Sequence, residues 1–198
     1  MRGLAMIARI LYEKLGPVCF VPHVEMPTLF SRSMRRAGIR QTFTEGMSPH
    51  PKISLGPPLP VGVLSLCELA DIWLDEEDLS CMNQLNDYLP KGLKVKKVCS
   101  TDGRSLSKSC DGARYLLCFK TKKKAETAAA IIASHVEKVD SSSVENGLNV
   151  IMLKPYQTSP TFFVKVLSFE GVISSWGDIR IVRTMLGRWE GHEVISLL

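Results

Sequence analysis

The chain has 198 residues, of which 45% are hydrophobic, and it contains six cysteines. This length suits one domain or two small ones, and no apolar run approaches the ~18 residues that a membrane span needs. The cysteines form no CxxC pair and follow no regular spacing, which argues against a zinc site and against a secreted disulfide framework. We therefore expect a cytoplasmic protein with reduced thiols and without a membrane segment, a metal or a cofactor.

The positive charge is concentrated in the first third of the chain. The net charge is +5, and residues 1–66 carry eight Lys or Arg against three Asp or Glu, whereas residues 67–198 carry seventeen of each. A local basic surface can attract an anionic partner such as nucleic acid. Charge alone fits a solvated basic face equally well.

The pattern of the first 99 residues predicts a β-α-β-β-α-β order, which is typical of a ferredoxin-like unit. The apolar spacing of Phe30, Met34 and Ala37 marks the buried side of the first helix, and Gly38 stands at its expected end. Asp78 or Ser80 is the expected cap of the second helix. The predicted elements are a strand over Ala5–Tyr12, a helix over Met26–Ala37, strands over Gln41–Thr44 and Cys67–Leu74, a helix over Leu79–Tyr88 and a strand over Leu93–Cys99.

Residues 100–112 are polar and predict a linker, after which the order of elements is expected to repeat over residues 113–198. The predicted elements are a strand over Ala113–Lys120, a helix over Lys124–His135, strands over Asn149–Leu153 and Phe162–Phe169, a helix over Trp176–Leu186 and a strand over Glu193–Leu198. The sequence thus predicts an α+β protein with two ferredoxin-like halves in tandem, over residues 1–99 and 113–198.

The segment Phe43–Gly62 carries five of the eleven prolines, at positions 49, 51, 57, 58 and 60. His50 lies between Pro49 and Pro51, and proline keeps the residue before it out of the helical region. Apolar anchors such as Ile53 disfavour disorder. A loop of this length without its own helix or strand is uncommon unless it is functional, so we predict an ordered functional loop.

Two stretches, GPVCFVPHVEMPTLFSRSMRRAGI and FTEGMSPHPKISLGPPLPVGV, resemble the radical-SAM-linked protein family, a bacterial domain of unknown function. The matching positions are Gly16-Pro17, His23, Arg35-Arg36-Ala37-Gly38 and Pro49-His50-Pro51-Lys52. Pro22, Glu25 and Ser48 replace the serine, aspartate and asparagine of the family pattern, and Glu25 still supplies a carboxylate. The family occurs alone or joined to cobalamin-binding radical SAM proteins, so the resemblance implies such a protein as partner. It implies no reaction.

Two groups of side chains are the candidate site. Arginine's planar fork suits phosphate, so the clustered cations of the first third are the candidate RNA- or anion-binding residues: Arg32, Arg35, Arg36, Arg40 and Lys52. A histidine titrates near ambient pH and can act as a general base, which makes His23 and His50 the candidate catalytic residues. The expected supporting residues are Glu25, Glu45, Ser48, Pro49 and Pro51.

Three functions are compatible with these residues. The first is a non-catalytic RNA-binding or substrate-presenting module that serves a radical SAM enzyme in RNA or ribosome modification. The second is an RNA-processing enzyme with His50 or His23 as general base. The third is an adaptor that docks a radical SAM partner through the Pro-rich loop.

Overall fold

The computed structural model describes residues 6–75 and 79–198. Within these residues the chain forms nine strands and four α-helices, with short 3-10 helices between them. The strands are β1 (Met6–Lys14), β2 (Ile53–Leu55), β3 (Leu64–Leu74), β4 (Leu93–Ser100), β5 (Gly112–Phe119), β6 (Lys138–Ser141), β7 (Gly147–Leu153), β8 (Ile179–Trp189) and β9 (Val194–Ser196). The α-helices are α1 (Met26–Arg36), α2 (Leu106–Ser109), α3 (Lys122–Ile132) and α4 (Thr161–Phe169). The 3-10 helices are Gly16–Phe20, His23–Glu25, Leu79–Asp87 and Trp176–Asp178.

All nine strands belong to one sheet, in the order β4-β1-β3-β8-β5-β7-β6, with β2 added to β3 and β9 added to β8. Every pairing is antiparallel except that of β3 with β8, which is parallel. The protein is therefore a mixed α+β fold with a mostly antiparallel sheet.

The contact between β3 and β8 is short and joins two groups of strands. Only Leu64 and Ser65 of β3 pair with β8, opposite Val182 and Arg183. Further along β3, residues 70–72 pair with β2. The two strands thus separate at Arg183, next to the buried ion cluster described below.

The two faces of β3 contribute to two hydrophobic clusters. Ala70, Ile72 and Leu74 belong to a cluster beneath α1, whereas Cys67 and Leu69 belong to a second cluster beneath α3 and α4. Because successive side chains of a strand point to opposite faces, the clusters lie on opposite faces of this strand. Edge-to-face ring pairs lie in both clusters: Tyr12–Phe30 at 5.0 Å between centroids in the first, and Tyr115–Phe163 at 5.8 Å in the second.

Helix α1 confirms the prediction to within one residue. Phe30 and Met34 are fully buried, as the apolar spacing indicates. Gly38 has a φ of +72° and follows the last turn, where the Ile39 amide donates to the Met34 carbonyl oxygen at 2.9 Å. Glycine adopts this left-handed backbone without the cost that a side chain would add.

The prediction was wrong for two elements of the second half. Phe162–Phe169 was expected to be a strand because it is rich in aromatic and β-branched residues, but it lies in helix α4. Its buried residues Phe163, Val164 and Leu167 follow helical spacing, and Pro160 stands just before the first turn. Trp176–Leu186 was expected to be a helix, but most of it forms β8, in which Ile179, Ile181 and Arg183 alternate inward.

Three smaller differences concern strands and one helix. Gln41–Thr44 makes only isolated bridges, and the second strand is Ile53–Leu55 inside the Pro-rich segment. Strand β6 has an exposed, polar sequence and gave no apolar signal. Leu79–Asp87 is a 3-10 helix and not an α-helix; the expected cap Asp78 lies outside the described residues.

Residues 100–112 pack on the sheet rather than extending from it. They contain α2, and Leu106 and Cys110 are buried in the cluster beneath α3 and α4. The division of the chain at this segment stays a prediction.

Candidate nucleic-acid interface and buried ion cluster

The arginines of α1 lie on the side of the helix away from the core. Arg32, Arg35 and Arg36 are exposed, because the opposite side carries the buried Phe30 and Met34. Among the described residues, no carboxylate lies within ion-pair distance of any of these three guanidinium groups. Their charge is therefore available to an external anion.

Two of these arginines share an open cleft of about 610 Å³ with the predicted supporting residue Glu25. We call it the arginine cleft; Arg32, Arg36, Glu25, Val21, Asp87 and Tyr88 are among its lining residues. Glu25 and Asp87 make the formal charge of the cleft zero, but neither carboxylate lies within ion-pair distance of Arg32 or Arg36. The excess positive charge of this surface comes from Arg35, on the adjoining side of α1.

Arg40 and Lys52 extend the basic surface past the end of α1. Arg40 is exposed and follows the helix terminus. The Lys52 amide donates to the Thr42 carbonyl oxygen at 2.9 Å, and the Lys52 ammonium lies 4.9 Å from the centroid of the Trp73 ring. A cation over an indole face is held in place while its outer side stays open to solvent.

The loop between Phe43 and Pro51 is closed by Thr44. The Thr44 amide donates to the His50 carbonyl oxygen at 2.8 Å, and the His50 amide donates to the Thr44 hydroxyl at 2.9 Å. The other predicted residues of this loop, Glu45, Ser48 and Pro49, are exposed, and Pro51 is partly buried. The side chain of His50 is exposed as well.

His23 has a very different environment from His50. It opens the 3-10 helix His23–Glu25 and is partly buried. Burial lowers the pKa of His23; nearby Glu68 opposes this effect, and the positive charges of Arg183 and Lys14 add to it. A neutral imidazole is thus favoured at this position.

The two histidines have different neighbours along β3. His23 lies in the electrostatic field of Glu68, whereas the chain just after His50 bonds to Trp73, whose amide donates to the Lys52 carbonyl oxygen at 3.0 Å. The five residue steps from Glu68 to Trp73 span roughly 17 Å of extended strand. The two histidines are therefore associated with different parts of β3.

Sequence reasoning missed a buried ion cluster where β3 and β8 part. Arg183 is fully buried, and its Nη1 donates to both carboxylate oxygens of Glu68, at 2.9 and 3.1 Å. The Tyr115 hydroxyl accepts from Arg183 Nε at 3.3 Å and from Nη2 at 3.2 Å. The carbonyl oxygens of Pro57 and Pro58 accept from the same guanidinium at 3.0 and 3.1 Å.

This cluster connects the Pro-rich segment to a strand more than a hundred residues away in sequence. Prolines lack an amide donor, but their carbonyl groups still need partners once they are buried. Arg183 satisfies two of them. The available signal was a charged residue among apolar neighbours of a strand, as Glu68 is in CELADIWL and Arg183 is in IRIVRTMLGRW, although each segment also carries other charged residues.

Lys14 adds a second buried cation near the same cluster. Its side chain is almost wholly buried, and Nζ donates to the Val21 carbonyl oxygen at 2.6 Å. Burial lowers the pKa of Lys14, and Glu68 opposes that shift. Burial also raises the pKa of Cys67 to about 12, so this thiol is protonated and a poor nucleophile.

A separate buried pair fixes the segment that follows β4. Arg9 Nε and Nη2 donate to the two carboxylate oxygens of Asp71, at 2.7 and 2.8 Å. Arg9 Nη2 also donates to the Arg104 carbonyl oxygen at 3.2 Å. The pair is bidentate, which is the strongest geometry for arginine and a carboxylate.

Neither a metal site nor a membrane helix is found in the part of the chain that the structure describes. No group of three or more His, Cys, Asp or Glu side chains there could hold a metal ion. No helix within those residues combines the length and the apolar composition needed to cross a membrane.

Comparisons with known proteins identify a family. No curated protein matches the chain. Among solved structures, the chain is similar to an unknown protein from Galdieria sulphuraria (12% identity, 91% of this chain and 99% of that chain, TM-score 0.28). It is also similar to the small subunit of acetolactate synthase from Thermotoga maritima (15% identity, 94% and 99% of the two chains, TM-score 0.26). Residues 8–155 match the family described as "Uncharacterized protein conserved in bacteria (DUF2344)", and the chain belongs to this family.

Proposed function

We propose that the protein is a non-catalytic RNA-binding module that presents RNA, or a substrate carried by RNA, to a radical SAM enzyme in the cytoplasm. The observation that supports this most directly is the set of three exposed arginines on α1, none of which pairs with a described carboxylate. Guanidinium groups that are not neutralised by the protein itself can bind phosphates and release the counterions of the nucleic acid.

The basic surface is long enough to follow a strand and not only to hold a single anion. Arg32 and Arg36 lie one helical turn apart, and Arg35 lies on the adjoining side of α1. Arg40 and Lys52 continue beyond the helix end. A row of cations along one edge suits the regular phosphates of a single strand.

The strand order supports a further part of the proposal, that the chain consists of two ferredoxin-like halves. In the first half the order is β4-β1-β3-β2, and in the second it is β8-β5-β7-β6. Both correspond to the same order of a β-α-β-β-α-β unit, with antiparallel neighbours throughout. Four-stranded units of this kind include RNA-recognition modules, although a shared fold is only an analogy for function.

The radical SAM partner is proposed from the resemblance of residues 16–39 and 43–63 to the radical-SAM-linked family. Its test is co-purification of the two proteins from the native organism, with the tag on either one. Co-purification that persists after RNase treatment indicates direct contact. If neither tagged protein co-purifies the other, the proposal is contradicted.

RNA binding is tested by fluorescence anisotropy with a mixed single-stranded RNA at several salt concentrations. The double variant Arg35→Gln/Arg36→Gln should bind more weakly. The matched control is Lys94→Gln/Lys97→Gln, which removes two exposed cations of β4 and changes the net charge equally. Equal weakening by both variants would contradict a specific role for α1.

A second candidate is an RNA-processing enzyme, which the environment of His23 favours. Its imidazole is partly buried, its pKa is lowered, and Lys14, Glu68 and Arg183 lie close enough to influence it. A base kept neutral beside cations suits proton abstraction near a phosphate. Under this candidate His23→Gln abolishes RNA turnover but leaves binding intact, while the exposed His50→Gln serves as control.

The adaptor function draws support from the tip of the Pro-rich segment. Met47 is fully exposed and Phe43 is 41% exposed, so an apolar tip faces solvent. If this tip docks a partner protein, Met47→Ser should weaken the partner contact, and RNA should not compete with the partner.

A further inference from the structure

A second cleft, with exposed aromatic rings, lies beside the 3-10 helix Gly16–Phe20. Its volume is about 930 Å³, and four separate chain segments line it. We call it the aromatic cleft and define it by Phe20, Val61, Lys120, Trp176 and Arg180. It combines residues from both ends of the chain, which the sequence alone does not place together.

The apolar side chains of this cleft are unusually open to solvent. Phe20 is 66% exposed, Val61 is 49% exposed and Trp176 is 43% exposed. Single exposed apolar residues are common on protein surfaces, but two aromatic rings and a valine in one concavity form a patch, and such patches mark binding sites. Flat ring faces of this kind can receive the planar face of another ring.

The charge of the cleft favours an anion. Its one lining carboxylate, Asp178, accepts a 2.7 Å hydrogen bond from Lys120 Nζ. That bond, the Ser174 amide and the nearby charge of Lys124 lower the pKa of Asp178 to about 2. Asp178 is thus ionised but already compensated, and Arg180 has no ion pair with any carboxylate of the described residues.

We infer that the aromatic cleft binds unpaired bases of single-stranded RNA, which stack on Phe20 and Trp176 while Arg180 contacts an adjoining phosphate. This inference rests on the proposed RNA-binding function and assigns it a second contact site. Stacking on aromatic side chains next to cations is the general mode by which proteins hold single strands without reading sequence.

The position of the cleft supports a shared ligand with the arginines of α1. Phe20 lines the aromatic cleft, and the next residue, Val21, lines the arginine cleft. Consecutive Cα atoms are about 3.8 Å apart, so the two clefts border each other across this chain segment. A strand that crosses this segment would therefore reach both clefts.

An acidic peptide would meet the same cations but would leave the rings largely unused. Glutamate and aspartate side chains have no planar apolar face, whereas every nucleobase has one. The exposed Phe20 and Trp176 therefore favour RNA, and an acidic polymer becomes a useful competitor in the test.

The test compares the affinity of oligouridine for the full chain and four variants. Phe20→Ala and Trp176→Ala should each weaken binding at least about 5-fold, from the usual contribution of one stacked base. Trp176→Phe, which retains a ring, should recover much of the loss. Phe169→Ala is the matched control, because this ring is 88% exposed and does not line the cleft.

Two probes separate stacking from charge. An abasic oligomer of the same length retains the phosphates, so its affinity should be nearly the same for the wild type and Trp176→Ala. Poly-glutamate should displace oligouridine only weakly. Equal losses with oligouridine and the abasic oligomer, or displacement by poly-glutamate as efficient as by unlabelled oligouridine, would overturn the inference.

The outcomes distinguish this inference from the proposed function. If the wild type binds no RNA even at low salt, both fail. If the Arg35→Gln/Arg36→Gln variant binds weakly but the aromatic variants bind as tightly as the wild type, only the inference fails. If the aromatic variants alone bind weakly, the aromatic cleft stands and the role proposed for α1 is wrong.

Discussion

Neutralising Glu68 should destabilise the whole fold, because it leaves the Arg183 guanidinium buried without its counter-charge. Arg183 is fully buried and Glu68 is 2% exposed, so neither group can turn to water in the native state. Removing one partner of a buried ion pair costs about 3–5 kcal/mol. We expect a loss of this size in the free energy of unfolding of Glu68→Gln, which keeps the shape of the side chain.

Replacing Arg183 instead of Glu68 should also reveal how much the other hydrogen bonds of the guanidinium contribute to stability. Arg183→Met leaves Glu68 unpaired and also removes the donors of the Pro57 and Pro58 carbonyl oxygens. The carbonyl of buried Pro57, left without a partner, costs about 1–3 kcal/mol, whereas the exposed Pro58 adds less. The double variant Glu68→Leu/Arg183→Met removes both charges, so it should be more stable than Arg183→Met, yet the unpartnered Pro57 carbonyl should keep it below the wild type.

The assay is urea unfolding followed by both tryptophan fluorescence and far-UV circular dichroism. At a slope of about 2 kcal/mol/M, the midpoint of Glu68→Gln should fall by about 1.5–2.5 M. The control is Lys96→Met, which breaks the partly exposed pair with Glu13 and should cost less than about 1 kcal/mol. A loss for Glu68→Gln no larger than that of the control would refute the reasoning.

The remaining predictions concern acid stability, backbone conformation and thiol reactivity. Because burial lowers the pKa of His23, the unfolded chain binds its proton first, so His23 should reduce stability as the pH falls below the unfolded value of about 6.5. The difference in melting temperature between His23→Gln and the wild type should accordingly move in favour of the variant between pH 8 and pH 5, and a constant difference would contradict this. Gly92→Ala should strongly lower the melting temperature, because φ at Gly92 is +94° and the new Cβ would collide with the Leu15 carbonyl oxygen. The control is Gly191→Ala, where φ is +81° and the space around the glycine is open, so it measures the backbone cost alone. Burial raises the pKa of Cys67 and of Cys110 to about 12. Mass spectrometry after iodoacetamide treatment at pH 8 should therefore find both thiols unmodified in the native protein and alkylated in urea. Alkylation of either thiol in the native protein would contradict the buried environment.

Much of the fold could be predicted because periodicity reports local burial. Helix α1 has a clear apolar side at Phe30 and Met34, and β3 is a long apolar run. The sequence predicted the wrong element type at α4 and at β8. The aromatic and β-branched content of Phe162–Phe169 favoured a strand, but tertiary packing against Tyr115 gives a helix, because burial overrides intrinsic propensity.

The candidate site was predictable only where its residues are neighbours in sequence. The exposed arginines of α1 follow from helical geometry once the buried side is known. The partners of Arg183 lie 68 to 126 residues away, and no local pattern specifies such contacts. The aromatic cleft has the same origin, because Phe20 and Trp176 come together only through the pairing of β3 with β8.

The most direct test of the RNA-binding account is the salt dependence of RNA affinity. If Arg32, Arg35, Arg36, Arg40 and Lys52 each contact a phosphate, these five contacts alone should contribute about −3.5 to the slope of the logarithm of affinity against the logarithm of salt, from roughly 0.7 per contact. The Arg35→Gln/Arg36→Gln variant should make that slope shallower by about 1.4, whereas Lys94→Gln/Lys97→Gln should leave it unchanged. A flat response of the wild type, or an unchanged slope in the arginine variant, would contradict the account.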